Sequence, residues 1–185
     1  MTIQALRSAR KRALAPLVLT LAAFSTSACA QDSARQDVEA RQVVNRLITE
    51  VQSGGDFALF EQLFAPAFID HTPFPGYSPD KDGARAIYKT FRTGFPDFRA
   101  QVHLQVVENG RVTSFKTYRG THLGPFMGLE PTGREIAIPI MDIVEVRDGR
   151  ITAHWGVPNV LVLYQQLGVT RIDQSGAPLP PADTP

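Results

Sequence analysis

Cysteine is almost absent from this sequence, because the 185 residues include only Cys29. A single thiol near the N-terminus excludes both an internal disulfide framework and cysteine catalysis in the rest of the chain. No hydrophobic run reaches the roughly 20 residues that a membrane-spanning helix requires. Charged residues make up 20% of the chain and phenylalanine occurs 11 times, so a largely disordered chain is also excluded. These features indicate one globular domain.

Basic charge is concentrated in the first thirty residues, which contain Arg7, Arg10, Lys11 and Arg12 and no acidic residue. The remaining residues carry 15 basic and 18 acidic side chains. A protein that binds a nucleic-acid backbone needs a concentrated basic surface. The sequence therefore predicts no nucleic-acid partner.

Residues 1–30 have the order of a secretory signal peptide: a basic segment, an apolar run of 12 residues and a stretch of small residues. We predict that they direct export. Two kinds of processing remain open at their end. Ordinary cleavage would fall before Gln31, whereas Ser27-Ala28-Cys29 resembles the end of a bacterial lipobox, in which Cys29 is lipidated. The protein is accordingly predicted to be periplasmic, or anchored by lipid to the inner or outer membrane.

Helical spacing predominates in the first half of the predicted domain, residues 31–170. The end of each helix carries a capping residue or a helix breaker. The predicted elements are a helix with the i, i+3, i+4, i+7 spacing Val44, Leu47, Ile48 and Val51, a helix from Asp56 to Pro66, an extended segment 68–72, a loop 73–79 and a helix 81–93.

After Pro96 the hydrophobic period changes to two, and Asn109-Gly110 and Asp148-Gly149 are hairpin-turn signals. Helices followed by antiparallel strands predict an α+β domain, in which a curved sheet wraps around the helices and leaves a cavity at one end. Residues 171–185 are predicted to be a disordered tail. The predicted elements are strands 102–106, 111–121, 135–146 and 150–157, an irregular connection 120–134, and a helix with Pro158 in its first turn that ends at Gly168.

Several segments, in their order and spacing, resemble the SnoaL-like polyketide cyclase family. The resemblance implies the cone-shaped α+β fold of ketosteroid isomerase and scytalone dehydratase, with one deep and mostly apolar pocket. It also implies a homodimer, and aldol-type ring closure that needs no metal or organic cofactor. The segments are Asp70–Gly76, Phe95–Phe98, Gly120–Gly128, Pro131–Arg134, Met141–Ile143, Asp148–Ile151, His154–Val157 and Gln166–Gly168.

Asp142 is the predicted acid/base, because aldol chemistry needs a base that removes a proton next to a carbonyl. By alternation it shares a strand face with five apolar residues, Ile136, Ile138, Ile140, Val144 and Val146. A carboxylate on such a face is costly unless it is paired or opens into a polar cavity. The alternative is an acid paired with an arginine such as Arg134. The pocket interpretation predicts that Asp142→Asn is at least as stable as the wild type.

His71 and His122 lie beside segments rich in glycine and proline, so we predict them as electrostatic partners of the base. The alternative is that each histidine stabilises its own loop. Only one of His154 and Trp155 can face inward, and the larger indole is the predicted pocket wall. Asn159 stands where many family members have an acidic residue. The predicted substrate-binding residues are Trp155, Asn159, His154, Phe126 and Tyr118.

A metal site is not predicted, because the histidines are too dispersed to supply converging ligands. We therefore expect an exported protein that binds a small apolar or aromatic carbonyl compound without a cofactor. The expected chemistry is proton abstraction next to a carbonyl, leading to cyclisation, isomerisation or dehydration. The alternative function is a periplasmic small-molecule binding module of the same fold that performs no chemistry.

Overall fold

The computed structural model describes residues 20–173 and 178–179, with side chains from residue 31 onward. The chain separates after Asp32, and Ser33–Pro185 form the compact unit described below. The predicted signal segment lies outside the described residues except for the backbone of residues 20–30. The Cys29 side chain and most of the predicted tail also lie outside them. Within the described part of the chain, no helix combines the length and hydropathy needed to cross a membrane.

Helices occupy the first half of the fold and strands the second, as the change of period predicts. Helix α1 continues without a break into a π-helical segment, which we call the π segment. The elements are α1 (Thr20–Arg46), the π segment (Leu47–Ser53), α2 (Phe57–Leu63), β1 (Phe64–Asp70), α3 (Lys81–Gly94), β2 (Arg99–Glu108), β3 (Arg111–Thr121), β4 (Glu135–Arg147), β5 (Arg150–Pro158) and α4 (Val160–Leu167).

One five-stranded sheet, in the order β1-β5-β4-β3-β2, forms the wall of the domain. Strands β2 to β5 pair antiparallel, and the two predicted hairpin turns are confirmed. Asn109-Gly110 and Asp148-Gly149 all have positive φ, as tight two-residue hairpins require. The apolar face predicted for β4 is also confirmed, because its even-numbered residues from Ile136 to Val146 are buried.

Strand β1 differs from the prediction in its start and its direction. Helix α2 ends at Leu63, and Phe64 already has extended backbone angles, so the strand begins before Pro66. β1 pairs parallel with β5 and lies at the edge of the sheet. An edge strand tolerates proline because one row of its backbone groups needs no partner within the sheet.

The π segment replaces the α-helix that the spacing around Leu47 predicts. Its turns are one residue longer than α-helical turns. The Ser53 Oγ donates to the Ile48 carbonyl five residues earlier, at 2.8 Å. The segment buries two adjacent pairs on one face: Leu47 and Ile48, then Val51 and Gln52.

The last helix begins at Val160, after Pro158 rather than with Pro158 in its first turn. Pro158 ends β5, and Asn159 is the N-cap of α4, where its Oδ1 accepts from the Val162 amide at 3.1 Å. The predicted end is confirmed, because Gly168 adopts a left-handed φ of 83°. α4 packs its buried residues Leu163, Tyr164 and Leu167 in a cluster with β4 residues.

Candidate active site

An apolar cavity of about 90 Å³ lies between the inner face of the sheet and the helices. A buried water needs only about 10–15 Å³, so the space is large enough for a small organic molecule. Aromatic rings form much of the wall, and Phe64, Phe74 and Phe91 are examples from three different parts of the chain. Besides two tyrosines, the polar residues in the wall are Gln52, Asp70, Thr72, Asp142, His154 and Asn159.

Asp142 lies in the cavity wall and only 3% of it is exposed. Its Oδ2 accepts from the Lys116 Nζ at 2.5 Å, and both side chains are almost fully buried. Its Oδ1 is buried as well but has no hydrogen-bond partner. The carboxylate is therefore held by one oxygen, and the other is free for a ligand.

Lys116 is the partner that sequence reasoning missed. The expected alternative for Asp142 was an arginine such as Arg134, whereas the ion pair is made by a lysine on the neighbouring strand. A signal was present, since alternation along β3 places Lys116 on the same face as Val112 and Ser114, which are fully buried. A buried lysine usually requires a carboxylate partner.

His154 faces the cavity, and it is held there by Asp70. The His154 Nδ1 lies 2.9 Å from the Asp70 Oδ1, and its Nε2 lies 3.9 Å from the Asp142 Oδ2. A carboxylate only accepts hydrogen bonds, so Nδ1 carries a proton and Nε2 is directed towards Asp142. Burial would raise the pKa of Asp70, but hydrogen bonds from His154 and Thr72 hold it below its usual value.

The absence of a side chain at Gly156 makes room for the His154 ring. A Cβ at that position would lie 2.8 Å from the His154 Cε1 and 2.9 Å from its Nε2. The Gly156 amide donates to the Thr72 Oγ1 at 2.7 Å, which fixes the backbone beside the ring. Lys116, Asp142, His154 and Asp70 thus form a continuous row of charged and titratable groups, of which the last three line the cavity.

Trp155 lies on the opposite face of the sheet, so the prediction that its indole forms the pocket wall is wrong. It stacks on His71 with ring centroids 4.4 Å apart and an interplanar angle of 2°. Neither Trp155 nor His71 lines the cavity. The inner position suits the imidazole, because its two ring nitrogens face two carboxylates, those of Asp70 and Asp142, whereas an indole has a single N–H.

His122 and Phe126 lie beside the cavity region rather than in its wall. The His122 ring is fully buried against Phe95 and Phe126, with ring centroids 5.2 and 6.2 Å away. Its Nδ1 accepts from the Thr132 amide at 3.2 Å, which leaves its buried Nε2 without a partner. His122 therefore holds the 122–134 connection, as its alternative interpretation states.

Tyr118 and Asn159 line the cavity, as their predicted binding role requires. The Tyr118 ring packs against Phe98 at a centroid distance of 4.9 Å, and the Lys116 Nζ lies 5.2 Å from the Tyr118 ring centroid. Burial raises the pKa of Tyr118 well above its usual value, and the negative charge of Asp142 adds to the shift. The phenol is therefore a hydrogen-bond donor at neutral pH.

Among the residues that the structure describes, no group of three or more His, Cys, Asp or Glu side chains converges in a way that would hold a metal ion. The cavity wall holds two carboxylates, an imidazole and two phenols within an apolar enclosure. The fold and site define the class of protein: an α+β fold with a cavity that contains acid–base groups.

The chain belongs to the SnoaL-like polyketide cyclase family, whose model matches residues 42–167. It is 27% identical over 135 residues to aklanonic acid methyl ester cyclase DauD from Streptomyces sp. (strain C5). That match covers 68% of this chain and 80% of DauD. Among solved structures, IdmH from Streptomyces antibioticus, a candidate polyketide cyclase, is 30% identical with a TM-score of 0.62. That match covers 70% of this chain and 99% of IdmH.

The fold is also that of TsrD from Streptomyces laurentii, which is 24% identical with a TM-score of 0.63. The match covers 71% of this chain and 96% of TsrD. The cone-shaped α+β fold implied by the sequence resemblance is thereby confirmed.

Proposed function

We propose that this protein is a cofactor-independent acid–base catalyst that removes a proton next to the carbonyl group of a small apolar or aromatic compound. The free Oδ1 of Asp142 carries the proposal, because a buried carboxylate oxygen without a partner is costly unless a ligand uses it. Membership of the cyclase family and similarity to DauD support the same reaction class. The enolate formed in that step can then undergo aldol-type cyclisation, isomerisation or dehydration.

In the proposed reaction, the Asp142 Oδ1 accepts the proton as the carbon–hydrogen bond breaks. The electron pair moves to the carbonyl oxygen and forms an enolate. His154 is held by Asp70, and a hydrogen bond donated from its Nε2 would stabilise that oxygen. The Asp142 Oδ1 then gives its proton to a carbon of the enolate, to the alkoxide formed on ring closure or to a departing hydroxyl group, and the carboxylate is restored. Lys116 holds the other carboxylate oxygen throughout.

Deuterium exchange tests this reaction class without knowledge of the natural substrate. Aryl methyl ketones and 1,3-dicarbonyl compounds are incubated with the protein in D2O, and deuterium incorporation next to the carbonyl is followed by NMR. We expect the wild type to accelerate exchange, with or without a chelator. Asp142→Asn should reduce the accelerated rate about 10²- to 10⁴-fold, the usual contribution of a general base.

The matched control is Asp148→Asn, which makes the same chemical change in an exposed hairpin turn and should leave exchange unaltered. Full exchange by folded Asp142→Asn would exclude Asp142 as the base.

The binding-module alternative is favoured by the ion pair, because Lys116 compensates the charge of Asp142 without any ligand. Tight binding of a ketone by the wild type without exchange would establish that alternative.

We also propose that the protein is exported, on the basis of the basic, apolar and small-residue order of residues 1–30. The intact mass of protein from its native host should correspond to a chain that begins at Gln31, or at Cys29 with an added diacylglyceryl group. The second mass would also establish a lipid anchor. A cytoplasmic product that retains residues 1–30 would contradict export.

A homodimer is proposed from the outer face of the sheet. Leu104, Phe115, Met141 and Val157 are paired in register across β2, β3, β4 and β5, and they are 39 to 75% exposed. An apolar row of this length on a soluble protein usually marks an interface. Two such faces can pack as sheets do in a sandwich, around a two-fold axis.

A further inference from the structure

Gln52 is a polar residue in the cavity wall that neither the family resemblance nor the proposed proton transfer uses. It is 4% exposed. Its Nε2 donates to the Tyr88 hydroxyl at 3.1 Å, and its Oε1 is buried without a hydrogen-bond partner. A buried amide oxygen without a hydrogen-bond partner destabilises the fold, so we asked which ligand group could pair with it.

The backbone at Gln52 is unusual. Gln52 lies in the π segment and shares its buried face with Leu47, Ile48 and Val51. π-helical turns are rare, and they often occur at functional sites. The π-helical backbone and the unpaired amide oxygen are separate observations, and both occur at Gln52 in the cavity wall.

Two phenols complete the polar cluster. The Tyr88 hydroxyl accepts from the Gln52 Nε2 and retains a hydrogen of its own that it can donate. Tyr118 also lines the cavity, and its ring packs against Phe98. Burial raises the pKa of both tyrosines, so both remain protonated donors. The cluster thus offers one unmet acceptor and two donors within aromatic walls.

We propose that Gln52, Tyr88 and Tyr118 form a subsite that binds a hydroxyl group of the ligand. A hydroxyl both donates to the Gln52 Oε1 and accepts from a tyrosine, whereas a carbonyl accepts only and would leave Oε1 unpaired. The aromatic rings around the cluster suit a hydroxyl carried on an aromatic ring. The inference rests on the proposed function for the ligand class, an aromatic carbonyl compound.

Two ketones that differ by one hydroxyl test the subsite by binding alone. The dissociation constants of 4-hydroxyacetophenone and acetophenone are measured by NMR titration of the full chain. We expect the wild type to bind the hydroxyl compound about tenfold more tightly, the effect of one net hydrogen bond. Gln52→Met removes the amide at similar volume and should bring the affinity ratio close to one.

Tyr118→Phe removes the hydroxyl and retains the ring, and it should also lower the affinity ratio of the two ketones. This second variant tests the subsite even if Gln52→Met folds poorly. Gln62→Met, on the exposed surface of α2, is the matched control and should keep the wild-type ratio. An unchanged ratio in folded Gln52→Met would overturn the proposal. So would equal affinity of the wild type for the two ketones, binding of neither at millimolar concentration, or loss of the preference only in Asp142→Asn.

These outcomes are separate from those of the exchange experiment. Suppose that Asp142→Asn loses exchange and that the affinity ratio of the two ketones is the same in Gln52→Met and the wild type. This result would support the acid–base reaction and exclude the hydroxyl subsite. If the affinity ratio falls in Gln52→Met but the wild type does not catalyse exchange, the hydroxyl subsite is supported and the acid–base reaction is excluded.

Discussion

The carboxylate of Asp142 has a structural partner and a free oxygen at the same time. The ion pair with Lys116 is almost inaccessible to solvent, so each charge depends on the other for compensation. The sequence predicted that Asp142→Asn would be at least as stable as the wild type. The buried lysine reverses that expectation, because the variant would leave its ammonium group without a counter-charge.

We expect Asp142→Asn to lower the free energy of unfolding by about 3–5 kcal/mol, the usual cost of breaking a buried pair. Adding Lys116→Met should recover most of that loss, because no buried charge then remains. Urea unfolding at a fixed protein concentration measures both effects. The exposed pair Arg46–Glu50 provides the control, since Glu50→Gln should cost less than about 1 kcal/mol.

The double variant also separates stability from chemistry. If Lys116→Met with Asp142→Asn is stable and still fails to catalyse exchange, the loss of exchange cannot be attributed to unfolding. Equal stability of Asp142→Asn and the wild type would show that the ion pair contributes nothing and that the lysine reaches solvent.

At the level of elements, the 122–134 connection is closed at its two ends and attached to α3 through its backbone. The His122 amide donates to the Arg134 carbonyl, and the amides of Leu123 and Gly124 both donate to the Gly94 carbonyl. The His122 ring is the buried titratable group in this attachment. Burial lowers its pKa because the imidazolium would lose its hydration, although the Gly124 backbone partly opposes the shift.

This shift makes stability depend on pH with a definite sign. Below the unfolded-state pKa of about 6.5, the unfolded chain binds a proton that the folded ring resists. The free energy of unfolding should therefore fall as the pH decreases from about 6.5 towards the lowered folded-state pKa. His122→Asn retains an acceptor for the Thr132 amide but cannot titrate. This variant should be less stable than the wild type at pH 8. Its free energy of unfolding should fall less than that of the wild type when the pH is lowered.

Urea unfolding of both proteins over a pH series measures this effect, and the difference between the two curves isolates His122. Parallel curves for the wild type and His122→Asn would show that the ring takes up its proton equally well in the folded and unfolded states. A steeper curve for the variant would contradict the sign of the shift.

At the level of the whole molecule, the two faces of the sheet differ in what they contact. The inner face of β4 packs in the core and lines the cavity, whereas Met141 and Ile143 on its outer face are 56 and 36% exposed. A second apolar row reinforces the first, since Val106, Thr113, Ile143 and Trp155 are paired in register. Both rows extend the proposed dimer surface across four strands.

Met141→Lys should convert the proposed dimer into a monomer, because a charge would be buried at the centre of the apolar row. Its fold should remain intact, since the side chain is exposed in the single chain. Sedimentation equilibrium of the wild type and the variant measures the mass. Gln62→Lys on helix α2 adds the same charge elsewhere and should remain dimeric. A monomeric wild type would contradict the proposal.

The sequence by itself determined the features that depend on near neighbours along the chain. Asp56 caps a helix and Asn109-Gly110 makes a hairpin, because capping and turn geometry involve only adjacent residues. The alternation in β4 likewise assigned Asp142 to the buried face without knowledge of its partner. Helices followed by strands were enough to predict the α+β class.

Only the tertiary structure decided which groups meet. The pairing of Lys116 with Asp142 depends on the register between β3 and β4, and the irregular connection between them leaves that register open in the sequence. Periodicity allows either His154 or Trp155 to face inward, and carboxylates from β1 and β4 select the histidine. Gln52 lies in the cavity wall and donates to the Tyr88 hydroxyl, a partner 36 residues away that the apolar spacing around Gln52 does not indicate. In each case the energy comes from partners distant in the chain, which local patterns do not specify.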